Sequence, residues 1–258
     1  MTAAAPDTEA LTPCEQRGDV WLKRDDLFRV GGCGGGKMRA ALMRARGASG
    51  ITTAGARQSI TGVVLAAAGA ALGIPARYHT ASGQATPELE RARQLGGDVV
   101  QHGFGRVSVI KKRARDDAAA LGFTYIPFGM ETPEMVRGTA AQAANLPFGH
   151  FKRLVVCCGG GMSLAGIVTG LVERGVSKPV LAVRVGSKET EKRLNKFAPP
   201  QWRSMVEFAD APEQYDEPAR DAFFRDVRLD RIYEAKVPRF LQPGDLFWVI
   251  AIRPTEEG

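Results

Sequence analysis

Residues 154–171 read LVVCCGGGMSLAGIVTGL, and this stretch decides the fold. The apolar run from Leu154 to Cys158 predicts a buried strand, and the apolar pattern that begins at Met162 and Ser163 predicts a helix. Between them stand Gly159, Gly160 and Gly161. A strand that passes through glycines into a helix gathers backbone N–H groups and the positive helix end around one point, which suits an anion.

The stretch therefore predicts a phosphate-binding loop. A dinucleotide fingerprint does not fit, because Leu164 stands where its third glycine would be. A purely structural tight turn stays open as an alternative, since glycines also end strands for steric reasons.

Apolar runs and helical patterns alternate along the rest of the chain. The predicted strands are Val20 to Lys23, Ile51 to Thr53, Ala76 to His79, Asp98 to Gln101, Thr124 to Pro127, Leu154 to Cys158, Val180 to Val185 and Leu246 to Ile252. The predicted helices are Lys37 to Arg46, Ile60 to Leu72, Pro87 to Leu95, Val107 to Leu121, Pro133 to Ala144, Ser163 to Glu173 and Glu189 to Phe197. Such alternation predicts an α/β fold, in which helices cover both faces of a mainly parallel sheet. Only Ala198 to Ala219 is interpreted as a longer surface excursion.

Lys37 ends a second glycine-rich run, Gly31-Gly32-Cys33-Gly34-Gly35-Gly36. Nearly absent side chains let a flat ligand approach, as a Schiff-base lysine requires. Such an amine must be deprotonated to attack a carbonyl, and we expect Lys23, Arg24 or partial burial to lower its pKa. A nucleotide-binding P-loop is disfavoured, because Met38 stands where a magnesium-binding hydroxyl would be.

A third strand-loop-helix junction spans residues 52–62. Its backbone N–H groups and the side chains of Gln58, Ser59 and Thr61 are candidates for holding a substrate carboxylate, and Ser59 for relaying a proton. A plain helix cap by Ser59 is the alternative.

Together with the segment Asp230-Arg231-Ile232-Tyr233-Glu234-Ala235-Lys236, these junctions resemble the fold type II pyridoxal-phosphate enzymes, the tryptophan-synthase-β-like group. Within that group the chain is most similar to the 1-aminocyclopropane-1-carboxylate deaminase and D-cysteine desulfhydrase branch, over about residues 19 to 252. The resemblance implies pyridoxal 5'-phosphate as cofactor. It also implies a homodimer and two interleaved αβα domains, a larger cofactor-binding one of residues 1–48 plus 145–258 and a smaller substrate-gripping one of residues 49–144.

The resemblance also implies roles for single residues. It makes Lys37 the Schiff-base lysine, Ser59 the serine that holds the substrate carboxylate and relays a proton, and Gly159 to Ser163 the phosphate loop. It makes Tyr233 a ring-stacking or proton-transferring residue, which also contacts substrate, and Glu234 the partner of the pyridine nitrogen. The predicted function is that of a lyase or deaminase acting at Cα of an amino acid or an amino-acid-like small molecule.

Composition sets further bounds. The chain has 258 residues, 44% of them hydrophobic, with no membrane-spanning run and no signal-peptide pattern at its start, so we expect a cytoplasmic protein without a membrane partner. Its four cysteines lack zinc-like spacing, so we expect free thiols and no metal site.

Two alternatives remain at the level of sequence. The net charge of +7, with a length shorter than typical members, favours an anionic carrier, such as an amino-acid adduct of a DNA base in phage-type hypermodification. Gly36 and Ile60 stand where the family has asparagines, and these departures favour a ligand-binding homologue that has lost catalysis.

Overall fold

The structure is a computed structural model that describes residues 6–103, 106–186 and 189–253. Its strands are β1 (Cys14–Arg17), β2 (Val20–Arg24), β3 (Arg29–Val30), β4 (Cys33–Gly34), β5 (Ile51–Ala54), β6 (Ala76–Ala81), β7 (Asp98–His102), β8 (Thr124–Tyr125), β9 (Arg153–Cys158), β10 (Val180–Arg184), β11 (Val206–Asp210), β12 (Phe223–Phe224), β13 (Val227–Arg228) and β14 (Asp245–Val249). Its α-helices are α1 (Gly36–Ala45), α2 (Thr61–Leu72), α3 (Pro87–Gln94), α4 (Val107–Leu121), α5 (Pro133–Ala144), α6 (Met162–Glu173), α7 (Thr190–Phe197) and α8 (Trp202–Met205). Every helix of the described ranges is too short or too polar to span a bilayer.

The prediction of an α/β fold with mainly parallel sheets is confirmed. Each predicted strand and helix is present, with ends that differ by a few residues at most. The interpretation of Ala198 to Ala219 as a surface excursion was wrong in its first half. That half forms α8 and the edge strand β11, which pairs in parallel with β10.

The described chain divides into two compact units. The first consists of Arg29–Glu134 with the described residues of Met1–Thr8 and Arg253–Gly258, and the second of Glu9–Phe28 and Met135–Ile252. The roles that the sequence analysis gives to two domains, cofactor binding and substrate gripping, stay predictions.

The first unit contains a parallel four-stranded sheet in the order β7-β6-β5-β8. Side chains alternate between the two faces of a strand. Tyr78 of β6 therefore packs on Gly62 of α2, while its neighbour His79 reaches Asp117 of α4 on the opposite face. The sheet lies between α2 and α4. The loop that carries Gln58 and Ser59 directly follows the carboxyl end of β5.

The second unit contains a six-stranded sheet in the order β1-β2-β14-β9-β10-β11. All its pairs are parallel except β1 with β2. One face packs on α6, α7 and α8, and the other on the segment around β13 and the 3₁₀ turns near Val237. The central strands are buried on both faces, which is why their sequences are continuously apolar.

Candidate active site

Lys37 is the second residue of α1 and follows a tight hairpin. Strands β3 and β4 are joined by Gly31 and Gly32, whose φ values of +58° and +82° suit the mirror-image turns of two-residue hairpins. Gly35 then precedes the helix at φ +78°, another conformation that favours glycine. The glycines thus allow the backbone conformations that the hairpin and the helix start require. Lys37 is half-buried at the start of the helix.

The two cations that precede this run already have partners in the second unit. The Nζ atom of Lys23 donates to the carbonyl oxygen of Thr12 at 2.5 Å and to Oε1 of Gln142 at 2.9 Å. Arg24 forms a two-pronged ion pair with Asp26, and this hydrogen bonding raises the pKa of Arg24. The positive charge of Arg24 is therefore offset locally, and its expected effect on the pKa of Lys37 stays a prediction.

The loop between β5 and α2 brings Ser59 and Thr61 together. The hydroxyl of Ser59 donates to Oγ1 of Thr61 at 2.9 Å and accepts from the backbone N–H of Thr61 at 3.2 Å. The cap residue of α2 is Ile60, and no side chain caps the helix, so Ser59 is not the plain helix cap of the alternative interpretation. Its hydroxyl instead accepts from the first N–H of the helix and is linked to a second hydroxyl. Gln58 lies in the same loop with an exposed side chain.

Two buried residues that the sequence analysis missed hold this loop by its carbonyl groups. Tyr78 donates its hydroxyl to the carbonyl oxygen of Ala56 at 2.7 Å, and burial raises the pKa of Tyr78, which keeps it a neutral donor. Arg253 donates to the carbonyl oxygen of Gln58 at 3.1 Å and pairs with Glu88 at 3.2 Å. No local pattern could have indicated these contacts, because the partners are far apart in the sequence.

The glycine loop after β9 has the form that the sequence predicts. Gly161 precedes α6 in the left-handed region, at φ +95°, and no side chain caps the helix. The first N–H groups of a helix have no partners within it, so the start of α6 offers donors and positive dipole charge to an anion.

The three glycines differ in the space around them. That space shows whether a phosphate group fits at this loop. A Cβ atom at Gly159 would lie 3.0 Å from the ring of Tyr233, and one at Gly161 would lie 3.1 Å from Cγ2 of Thr190. A Cβ atom at Gly160 would meet no atom within 4 Å. Packing therefore explains two of the glycines, and open space at the third fits the approach of a phosphate group to the backbone.

The segment after Asp230 folds around that buried carboxylate. Asp230 accepts from the N–H groups of Ile232 and Tyr233, and the next residue, Glu234, is also buried. Burial first, then the nearby charges of Glu234 and other acidic groups, raises the pKa of the Cys157 thiol. Glu234 is thus an acidic group in a poorly solvated setting, where a partner for its charge matters most.

Tyr215 is a further residue that the sequence analysis missed. Its hydroxyl lies 2.7 Å from the hydroxyl of Tyr233, and its carbonyl oxygen accepts from the buried amine of Lys236 at 3.3 Å. Burial lowers the pKa of Lys236. Tyr215 lies in the part of the chain that was interpreted as a surface excursion, so its contact with Tyr233 had no sequence signal.

The predicted site residues therefore form two groups. In the second unit, the loop from Gly159 to Ser163 lies against the ring of Tyr233, which directly precedes Glu234. In the first unit, Gln58 and Ser59 lie in the loop that leads to Thr61 at the start of α2, and Lys37 is the second residue of the neighbouring helix α1.

Comparison with known proteins identifies the family and the fold. The family described as "Pyridoxal-phosphate dependent enzyme" matches residues 7–234. No curated protein matches the chain. Among solved structures, an ACC deaminase homologue is similar, with 21% identity, a TM-score of 0.78, and coverage of 98% of this chain and 93% of the other.

Two threonine deaminases are similar as well. The one from T.th. has 18% identity and a TM-score of 0.71, with coverage of 94% of this chain and 92% of the other. The processed form of isoform 2 from Solanum lycopersicum has 16% identity and a TM-score of 0.68, with coverage of 94% of this chain and 83% of the other. These likenesses show the fold, which is the tryptophan-synthase-β-like fold type II, and the family match extends over most of the chain. The chain belongs to the family of pyridoxal-phosphate dependent enzymes, and pyridoxal phosphate is its cofactor.

Proposed function

We propose that this enzyme is a lyase or deaminase that acts at Cα of an amino acid or an amino-acid-like molecule. The observation that carries the proposal is the loop from Gly159 to Gly161, where open space at Gly160 adjoins the uncapped start of α6. The cofactor, when bound, supplies an electron sink for breaking a bond at Cα. The remaining roles belong to side chains of the chain itself.

The cofactor is proposed to be held by residues of three kinds. Backbone N–H groups from Gly159 to Ser163 hold the phosphate, with Met162 and Ser163 as the first helical residues. Lys37 is the Schiff-base lysine, and the carboxylate of Glu234 is the partner of the pyridine nitrogen. A buried carboxylate beside that nitrogen favours its protonated form, because the two opposite charges stabilise each other in a poorly solvated place.

Proton movement at the substrate is proposed to involve Lys37, Ser59 and Tyr233. The amine of Lys37 acts as the base at Cα. The linked hydroxyls of Ser59 and Thr61, with Gln58 and the loop N–H groups, hold the substrate carboxylate, and Ser59 relays a proton. Tyr233 contacts substrate and exchanges a proton through its hydroxyl, which is already hydrogen-bonded to Tyr215.

The test begins with the absorption spectrum of the purified protein with added pyridoxal phosphate. The wild type and a Lys112→Ala control, which removes an exposed lysine of α4, are expected to show a visible band, and Lys37→Ala is expected to lack it. Reduction with borohydride followed by peptide mass spectrometry should then place the cofactor on Lys37 in the wild type.

A modified lysine other than Lys37 would overturn the proposed role of that residue. If the band forms as expected, amino acids are next incubated with the enzyme in heavy water. Exchange at Cα, with release of ammonia and an oxo acid, is the result expected of a lyase or deaminase. A complete absence of exchange across a broad panel would favour the homologue that has lost catalysis.

The same preparation tests the quaternary structure. We propose a homodimer, and sedimentation of the cofactor-loaded protein should give twice the mass of the 258-residue chain. A single-chain mass at working concentration would contradict it.

A further inference from the structure

Arg193 contacts the glycine loop from a different helix. It lies on α7, its side chain is only 14% exposed, and its Nη1 atom donates to the carbonyl oxygen of Gly160 at 3.2 Å. The same guanidinium lies 3.4 Å from the carboxylate of Glu189, which is 64% exposed. An ion pair of that length with a largely exposed carboxylate contributes little to stability.

The contact fixes the orientation of one peptide group. The described residues contain no cis peptide bond, so the carbonyl of Gly160 and the N–H of Gly161 point in opposite directions. The hydrogen bond from Arg193 directs the carbonyl oxygen of Gly160 toward α7. The N–H of Gly161 then points to the side of the loop that faces away from α7. A carbonyl oxygen facing a phosphate would repel it, whereas an N–H group attracts it.

Glycine residues make this orientation depend on an outside contact. Neither Gly160 nor Gly161 has a side chain that would restrict rotation of the peptide between them, and a Cβ atom at Gly160 would meet nothing. Thr190, three residues before Arg193 on α7, packs against Gly161, and its Oγ1 atom lies 3.8 Å from the sulfur of Cys158. The start of α7 is therefore the support on which the loop rests.

The charge of Arg193 acts in the same place. Burial raises the pKa of the Cys158 thiol to about 11, and the positive charges of Arg184 and Arg193 work against that rise. The guanidinium thus adds a positive field at the end of β9, where the loop begins.

We propose that Arg193 is a positioning residue that holds the peptide between Gly160 and Gly161 in the orientation that binds phosphate. It makes the loop selective for the phosphorylated cofactor over pyridoxal. The inference rests on the proposed role of this loop and goes beyond it by assigning the loop a support outside its own segment.

Arg193→Gln and Arg193→Lys test the proposal, with Arg203→Gln as the matched control. Arg203 is an exposed arginine of α8 in the same unit that donates to Asn195 of α7, so its replacement removes the same charge and a contact with α7 but leaves the hydrogen bond from Arg193 to Gly160 in place. Binding of pyridoxal phosphate and of pyridoxal is measured separately by equilibrium dialysis, and circular dichroism confirms that each variant is folded. The ³¹P resonance of the bound cofactor reports directly on the phosphate.

For Arg193→Gln we expect binding of pyridoxal phosphate to weaken about tenfold, as loss of a charge-assisted hydrogen bond implies, while pyridoxal binding changes little. The ³¹P resonance should shift in that variant, the lysine variant should recover part of the affinity, and Arg203→Gln should match the wild type. Unchanged affinity and resonance, or equal losses for both ligands, would overturn the role of Arg193 and leave the proposed function standing. If the wild type itself fails to prefer the phosphorylated ligand, the phosphate loop of the proposed function is wrong.

Discussion

Gly160 and Gly161 are adjacent glycines that serve different purposes, and the difference is visible only at the scale of single residues. Gly161 combines a left-handed backbone with a close neighbour, Thr190, so glycine is required there by the fold. Gly160 has neither constraint, so the reason for glycine must lie in what approaches it. Substitution by alanine at each position should therefore separate stability from binding.

We expect Gly161→Ala to lower the free energy of unfolding by about 1–2 kcal/mol, the cost of placing a Cβ atom in the left-handed region. Gly160→Ala should change that free energy by less than about 0.5 kcal/mol but weaken pyridoxal phosphate binding, because its methyl group enters the open space. Urea unfolding without cofactor and cofactor titration measure the two effects. Full cofactor affinity in Gly160→Ala would show that nothing binds against this residue.

Residue-scale chemistry was partly predictable from the sequence. The glycine loop and the Ser59 junction stood out because their pattern is local, running from a strand through small residues to a helix. Tyr215, Tyr78, Arg193 and Arg253 could not be found in this way. Arg253 and Glu88, for example, are 165 positions apart and meet only because the chain returns to its first unit near residue 253.

At the scale of elements, helix ends followed the sequence closely. The bounds of α4 match the prediction at both ends, and the C-terminal end is set by Gly122, which has a left-handed backbone that favours glycine. Apart from β11, which lies in the segment interpreted as a surface excursion, the strands that were missed are short or polar. Strand β1 has the sequence CEQR, and β3 and β4 have two residues each. Such strands show no hydrophobic pattern, and they pair because one turn joins β1 to β2 and another joins β3 to β4.

Elements β6, β7 and α4 together hold a histidine pair that makes stability depend on pH. Nδ1 of His79 lies 2.9 Å from Nε2 of His102, and Nε2 of His79 lies 3.1 Å from Asp117. Arg77, Asp98 and Arg113 also act on the pair. Burial is the largest cause that lowers the pKa of both histidines below 6.5, although Asp117 works against it.

A histidine whose pKa is lowered in the folded state binds its proton more readily when unfolded. Its contribution is therefore complete above pH 6.5 and is lost as the pH falls from there through the lower pKa of the folded state. We expect the free energy of unfolding to decline below that pH by up to about 1.4 kcal/mol per pH unit for each histidine. Urea unfolding at a series of pH values measures this slope.

The control for this prediction is the third histidine. His79→Asn combined with His102→Asn should flatten the slope, whereas His150→Asn, which removes a ring that packs against Trp21, should keep it. An unchanged slope in the double variant would contradict the assignment.

At the scale of the whole molecule, the net charge of +7 bears on the DNA alternative. Several arginines are already paired with carboxylates, among them Arg17, Arg77, Arg153 and Arg184. We therefore expect only non-specific DNA binding, with a Kd of about 10⁻⁴ to 10⁻⁶ M at physiological salt, weakening steeply as salt rises. Fluorescence anisotropy with a labelled duplex measures it, and tight binding that survives physiological salt would favour a substrate carried on DNA.

The position of β14 has a consequence for the order in which a nascent chain can be completed. This strand lies between β2 and β9, so the first hairpin of the second unit gains its link to the rest of that sheet only from residues 245–249. During synthesis, β1 and β2 leave the ribosome more than 200 residues before the strand that joins them to β9. All six described strands of the first unit, β3 to β8, are made in between. A ribosome stalled before residue 245 would thus hold a chain whose first unit has all its strands while the sheet of its second is still in two parts.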